Sequence, residues 1–366
     1  MMRIDKYPTM ALAAGLCLAA CLAQAAGVLN IANWADYTGK DTVPRFTKET
    51  GIKVNLDPID SEETLQTKLL LGKSSIDIAV PASSFLHNQL QAGLYQKLDK
   101  SRLSKLDKLD KELMKKLAVV DPGNQYGIPY GWGTTGLAIN VTKVRQILGP
   151  NVPLDSWELL YNPQYVSRLK QCGVGLLESP VDVLGSMLKY QHKDTTRFSG
   201  SDVQEAFARL KEIRTYVTQV NSSSYTSDLA QGDLCLTMAW SGDAARAIQQ
   251  AKQGKKPYEI KYVLPKEGAA IWFDVMAIPK DAPHLDAAYQ WLNYIETPDV
   301  HAGISNETLY LSGNREANAL VKPEIRNDPT ISPTPAQILT LSPVAGITSE
   351  QQRLLNRLWT AFKAGR

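Results

Sequence analysis

The sequence predicts an α/β fold in two domains. The first third of the chain alternates short apolar strands with helices in a βαβαβ order, the signature of a mostly parallel sheet covered by helices. The chain also runs to 366 residues, more than a single small core accommodates.

The elements follow in order. Val28-Leu29-Asn30-Ile31-Ala32 reads as a strand. Asp41 is placed to cap the next helix, with Pro44 in its first turn and Gly51 as its stop, since glycine commonly ends helices. Residues 52–56 form a second strand, and 62–71 a helix ended by Gly72. Residues 76–80 are almost continuously apolar, as a strand buried on both faces requires. Leucines recur every three to five residues over 97–117 among many charges, which predicts a helix or helix pair with a solvated charged face. Residues 134–140 read as an extended crossing into a second domain of mixed character. That domain holds strands at 174–177 and 234–240 and a helix at 203–217. Residues 258–264 bring the chain back, 273–279 form another strand, and 285–295 an amphipathic helix. Pro-rich 328–335 reads as a short loop.

The N-terminus carries a different message. Arg3 and Lys6 precede an apolar run from Met10 to Cys21, shorter than the ~20 residues that span a bilayer. Ala23-Gln24-Ala25 fits a small-residue cleavage site, so residues 1–25 read as a signal peptide and lie outside the fold. A competing lipobox, Leu18-Ala19-Ala20-Cys21, would instead anchor the protein through a lipid on Cys21. Either reading exports the chain. Removing Arg3, Lys6 and Asp5 takes the formal charge from +3 to +2, a balance that argues against a nucleic-acid surface.

Beyond the leader, the cysteines are Cys172 and Cys235. In an oxidising compartment such a pair is a disulfide candidate; the alternative is two separate buried thiols. The four histidines, His87, His192, His284 and His301, share no metal-binding spacing, so no metal or other cofactor is expected. Neither a nucleophile elbow nor a phosphate-binding loop occurs, which favours binding over catalysis.

What recurs is an aromatic beside a carboxylate near a strand end: Trp34 with Asp36 and Tyr37, Trp240 with Asp243, and Trp272 with Phe273 and Asp274. In open α/β sheets, ligands bind beyond the carboxyl ends of the strands, which also selects the 82–85 stretch. Singly, such a tryptophan belongs more often to a core and such an aspartate to a helix start. Together they suit capture of a cation with an apolar middle. Aromatic faces attract ammonium groups by ~0.5–2 kcal/mol each. They also cover methylenes at ~0.8 kcal/mol per buried CH₂. Carboxylates then pair with the terminal amines.

These stretches resemble a known family, the periplasmic polyamine-binding proteins of ABC importers, closest to the putrescine-binding type. The resemblance rests on Asn33-Trp34-Ala35-Asp36-Tyr37, Lys48-Glu49-Thr50-Gly51-Ile52-Lys53-Val54, Cys172-Gly173-Val174, Gly232-Asp233-Leu234-Cys235, Trp240-Ser241-Gly242-Asp243, Pro265-Lys266-Glu267-Gly268 and Phe273-Asp274-Val275. It implies a two-lobed type II binding-protein fold with ligand in the interlobe cleft. The implied ligand positions are Trp34, Ala35, Asp36, Tyr37, Ala82, Ser84, Asp182, Trp240, Asp243, Trp272, Asp274 and Tyr310. The implied disulfide joins Cys172 to Cys235. Against the putrescine-binding type, Ala35 and Ala82 replace serines, Asp182 replaces a glutamate and Trp272 a phenylalanine. These changes tilt the expected preference toward spermidine.

The expected organisation is a first lobe of 26–134 and 262–312 and a second of 135–261 and 313–366, with a third connection after Tyr310. Asp243 and Asp274 are expected to grip one end of the ligand, and Asp36 and Asp182 the other. The implied protein is a periplasmic, non-enzymatic, monomeric receptor serving an ABC permease. Its alternatives are a polyamine sensor docking on a membrane signalling protein, or a receptor for another small cation such as agmatine.

Overall fold

The computed structural model describes residues 27–345 and 347–365; the expected signal peptide and the Cys21 anchor lie outside them. The first lobe opens as expected. Strand β1 (Val28–Trp34) pairs in parallel with β2 (Lys53–Ile59) and β3 (Ile78–Ala79). Between them lie helices α1 (Thr42–Thr50) and α2 (Glu62–Leu71), and α3 (Ser83–Gln91) follows β3. Alternation along β1 sends Leu29 and Ile31 into one apolar layer, with Phe46 and Trp291. Ala32 goes into the opposite layer, with Leu65, Leu86 and Phe273. This is what period-two side-chain direction requires of a sheet covered on both faces.

Asp41 occupies the cap position of α1 but makes no capping bond; Gly51 closes the helix at φ 73°. Residues 97–117 are not one helix or a helix pair. They form two 3₁₀ turns, Lys100–Arg102 and Leu106–Lys108, before a helix Lys111–Leu117. The cause is local: Asp99 accepts from the Ser101 N–H, and Asp110 from those of Glu112 and Leu113. Such side-chain bonds compete with a continuous helix.

The crossing is longer than expected. Strand β4 (Gly127–Asn140) is buried along its whole length. From Gly127 to Thr135 it pairs with β9 (Ala270–Ala277). From Thr135 onward it pairs with β7 (Leu236–Trp240), and from Leu137 with β8 (Ile260–Val263). Thr135 is therefore the residue at which one strand passes between lobes. In the second lobe, β5 (Val174–Leu176) lies parallel between β7 and β6 (Gln219–Val220). Its core gathers Trp157, Leu184, Phe207 and Leu236. Cys172 and Cys235 are joined by a disulfide, their Cα atoms 5.6 Å apart.

The C-terminal stretch divides differently from the expectation. Val321, Ile325, Ile331 and Leu341 pack in the layer with Leu65 and Phe273 of the first lobe. Only with Val344 and Ile347, and then the helix Ser349–Lys363 through Leu355, Trp359 and Phe362, does the chain join the second core. The third passage thus lies near 341–347, not directly after Tyr310. The apolar residues of 313–341 match either core in chemistry, so pattern alone could not assign them. Among the described residues, no helix is long and apolar enough to cross a membrane.

Candidate functional site

The site is built at the ends of β1 and β7 and along β9, inside which Trp272 and Asp274 lie, not near a strand end as expected. Trp34 is the last residue of β1, and the loop after it is pinned from two sides. The Tyr37 carbonyl accepts the Asn33 side-chain amide at 3.3 Å and the Tyr130 hydroxyl at 2.6 Å. Asp36 adopts φ 53° and is exposed. Ser84 sits in the first turn of α3. The neighbouring Ser83 hydroxyl accepts the Phe273 N–H at 3.1 Å, and Ala82 bridges to Asp274. These bonds tie α3 to β9. Trp272 and Asp274 alternate along β9 and so share a face.

Glycines let the rings lie close to the backbone. A Cβ on Gly133 would stand 2.5 Å from the Trp272 ring, and one on Gly242 would stand 2.5 Å from the Tyr310 ring. Tyr310 lies edge-on between Tyr37, at 5.8 Å, and Trp272, at 5.1 Å. Its hydroxyl lies against Asp243. The first-lobe rings and the second-lobe carboxylate thus meet across one cleft.

On the second lobe, Asp243 stands in the first turn of the helix Ser241–Gln253 and accepts the Tyr225 hydroxyl at 2.7 Å. Asp182 stands in the first turn of the helix Pro180–Tyr190. It accepts the Thr135 hydroxyl at 2.6 Å and the Trp240 ring N–H at 3.2 Å. Burial pushes both carboxyls up, and these donors oppose it.

Asp274 is different. It is 7% exposed, and burial pushes its carboxyl up to about 7, against weaker help from Tyr37 and Trp34. Neither of those donors closes to full hydrogen-bond geometry: the Trp34 ring N–H and the Tyr37 hydroxyl are buried without a protein partner. So is the Trp272 ring N–H. An acid in aromatic surroundings, facing donors it does not fully engage, has a strong incentive to meet a cation.

Outward from Tyr37 and Tyr310 opens a cavity of about 820 Å³, edged by Asp36, Lys40, Asp243, Arg246 and Glu307. Asp36 therefore lines the same space as Asp243. Lys40 and Glu307 approach to 3.6 Å on its exposed rim.

A cleft between two α/β lobes, floored by glycine and lined by aromatics and acids, is the geometry of a receptor. The family of bacterial extracellular solute-binding proteins matches residues 41–333. The chain belongs to that family. This solute-binding protein is 43% identical to a putrescine-binding periplasmic protein of Pseudomonas aeruginosa, over 94% of its own length and 95% of the relative's. It is 42% identical to a putrescine-binding periplasmic protein of Escherichia coli, over 92% of each. Its fold superposes with a TM-score of 0.78 on the substrate-binding protein of a spermidine/putrescine ABC transporter from Streptococcus pneumoniae. That match has 24% identity and covers 93% of this chain and 99% of the other.

Several participants were not singled out from sequence. Tyr225 and Thr135 hold Asp243 and Asp182; Glu62 accepts the Ala82 N–H; Gly133 and Gly242 make room for rings. Each acts across a long sequence separation, and apart from Gly242, which falls within the Trp240–Asp243 stretch, none carries a local motif. The glycines beside Trp132 and Asp243 were the available hint.

Proposed function

We propose that this protein captures a polyamine in the interlobe cleft, in the periplasm, and presents it to a membrane ABC importer. Asp274 carries the reading: a buried acid ringed by Trp34, Tyr37, Trp272 and Tyr310, with its charge unmatched by any protein cation. An ammonium seated there gains a charge-assisted bond and aromatic faces together. The methylene chain then runs past Tyr310 toward Asp243, with Trp240 and Asp182 as the second-lobe wall and Ser84 at the first-lobe edge. Asp36 stands at the mouth, where a longer ligand would place a further amine.

The reading draws support from relatives named for binding putrescine, at 43% and 42% identity, and from relatives at 31% named for spermidine and putrescine. Calorimetric titration of refolded, ligand-stripped protein with putrescine, cadaverine, agmatine, spermidine and spermine tests it. Tight binding of at least one polyamine and none of neutral diols is expected. Failure of all of them to bind overturns it.

A further inference from the structure

Behind Asp274 stands a second acid that cation capture does not require. Glu62 opens α2, is 6% exposed and lies beneath the turn that carries Ala82. One of its carboxyl oxygens accepts the Ala82 N–H. The other faces the Gln89 amide at 3.5 Å, and Gln89 in turn accepts the Tyr95 hydroxyl at 3.0 Å. Ala82 is itself bridged to Asp274, so one residue of backbone separates two buried acids.

The backbone bond alone does not explain an acid at this position, because a glutamine oxygen would accept the Ala82 N–H equally well. The N-terminus of α2 and that N–H favour the anion. Burial and the neighbouring Asp274 oppose it and prevail, holding the Glu62 carboxyl well above the ordinary range. The groups facing Glu62 are Glu63, Tyr95, Gln89 and Asp274. Those facing Asp274 are Tyr37, Trp34, Tyr130 and Tyr310. None of these is a cation. Two adjacent buried acids without a counter-ion cannot both ionise cheaply, and a pair that interacts strongly enough loses its protons in joint steps.

We propose that Glu62 and Asp274 form a coupled acid pair that holds a proton while the cleft is empty and yields it to solvent when a cation seats on Asp274. Glu62 is thereby the residue that sets the pH range over which the site captures its ligand. It is a positioning residue: it touches Asp274's backbone neighbour and acts on the ligand only through the pair. The step balances simply, since one ammonium enters, one proton leaves, and no bond to carbon changes. The inference rests on the polyamine reading for the identity of the cation, but not for the existence of the pair.

Two measurements test it. Carbon-13 carboxyl titration of the unliganded wild-type protein reads the pair with no ligand present. Glu62 and Asp274 should both titrate above the ordinary carboxylate range and show mutual inflections; two independent acids in the ordinary carboxylate range overturn the proposal whether or not polyamines bind. Calorimetry with putrescine and spermidine as probes, from about pH 5.5 to about pH 8.5 in two buffers of different ionisation enthalpy, counts released protons. In Glu62→Gln the pH at which affinity halves should move down by about one unit or more relative to wild type, with affinity near pH 8.5 preserved within about threefold. A uniform loss of affinity with an unmoved pH profile reveals a merely structural Glu62 and sinks the idea. If no probe binds, the polyamine reading fails and the carboxyl titration alone decides the pair.

Discussion

Asp182 and Asp243, on the second lobe, each accept hydroxyl or ring N–H donors at 2.6 to 3.2 Å. Asp274, on the first lobe, is more deeply buried, and the Trp34 and Tyr37 donors around it are not fully engaged. The second-lobe wall is thus largely satisfied by the protein. The first-lobe wall is held in a state that a cation would relieve. The difference teaches that acids of similar type in one cleft need not contribute alike: the gain on binding is greatest where the unliganded protein satisfies the charge least.

The sharpest way to break this comparison is at Asp274 itself. Asp274→Asn should weaken polyamine binding by about 3–5 kcal/mol, because the ammonium is left buried against a neutral partner. The same variant should raise the thermal stability of the unliganded protein near pH 8, since it removes a buried charge. A stability loss there would show that Asp274 is as well satisfied as its counterparts. Asp243→Asn should cost less binding, about 2–3 kcal/mol, and should lower unliganded stability because Tyr225 loses a charged acceptor. Identical behaviour of the two variants in calorimetry and thermal melts would erase the distinction between the walls.

The pH dependence sharpens the same point. Asp274 has its folded value raised to about 7 from 3.8. Its neutral form is therefore favoured in the folded protein. The stability this gives is full below the unfolded value and is lost as pH rises through about 7. A bound ammonium needs the carboxylate, so affinity should run the other way. It should fall by up to roughly tenfold per pH unit below that range for one linked proton. Asp182 and Asp243 are shifted in the same direction and add to the fall at lower pH. Affinity that is flat from about pH 8 to about pH 6 would mean that Asp274 is already ionised in the empty cleft.

Much of this contrast could not be read in advance. The βαβαβ start, an extended crossing over 134–140 and the placement of Trp34 and Trp240 at strand ends follow from periodicity, because strands carry their pattern locally; Trp272 and Asp274, expected near a strand end, lie inside β9 instead. The disulfide was a candidate from compartment and pairing, the resemblance implied it, and the structure joins Cys172 to Cys235. The assignment of 313–341 to the first lobe did not follow, since Val321 and Ile325 suit either core. Nor did the grouping of acids: whether Asp36 faces Asp243 or Asp182 depends on how two lobes meet. The donors Tyr225 and Thr135 are ordinary residues until the fold brings them to a carboxylate.

Thr135 offers the smallest and most specific test. It is the point at which β4 exchanges β9 for β7 as its partner, and its hydroxyl donates to Asp182. Thr135→Val keeps the branched shape that the strand requires and removes only the donor. Asp182 retains Trp240 and the helix N-terminus, so the loss is partial. Hydrogen bonds to charged groups contribute about 1.5–3 kcal/mol, and the remaining donors should hold the cost in unliganded stability near the low end of that range. The effect on binding should be smaller still, and of uncommon sign. A less satisfied Asp182 resembles Asp274, so the ligand has more to gain from pairing with it. Polyamine affinity in Thr135→Val should therefore stay within about threefold of wild type, less than 0.7 kcal/mol, while stability falls by more than that. A variant that loses stability and affinity in equal measure would show instead that Thr135 aims Asp182 at the ligand. The second-lobe wall would then be a positioned gripping surface, not one merely kept quiet by its own donors.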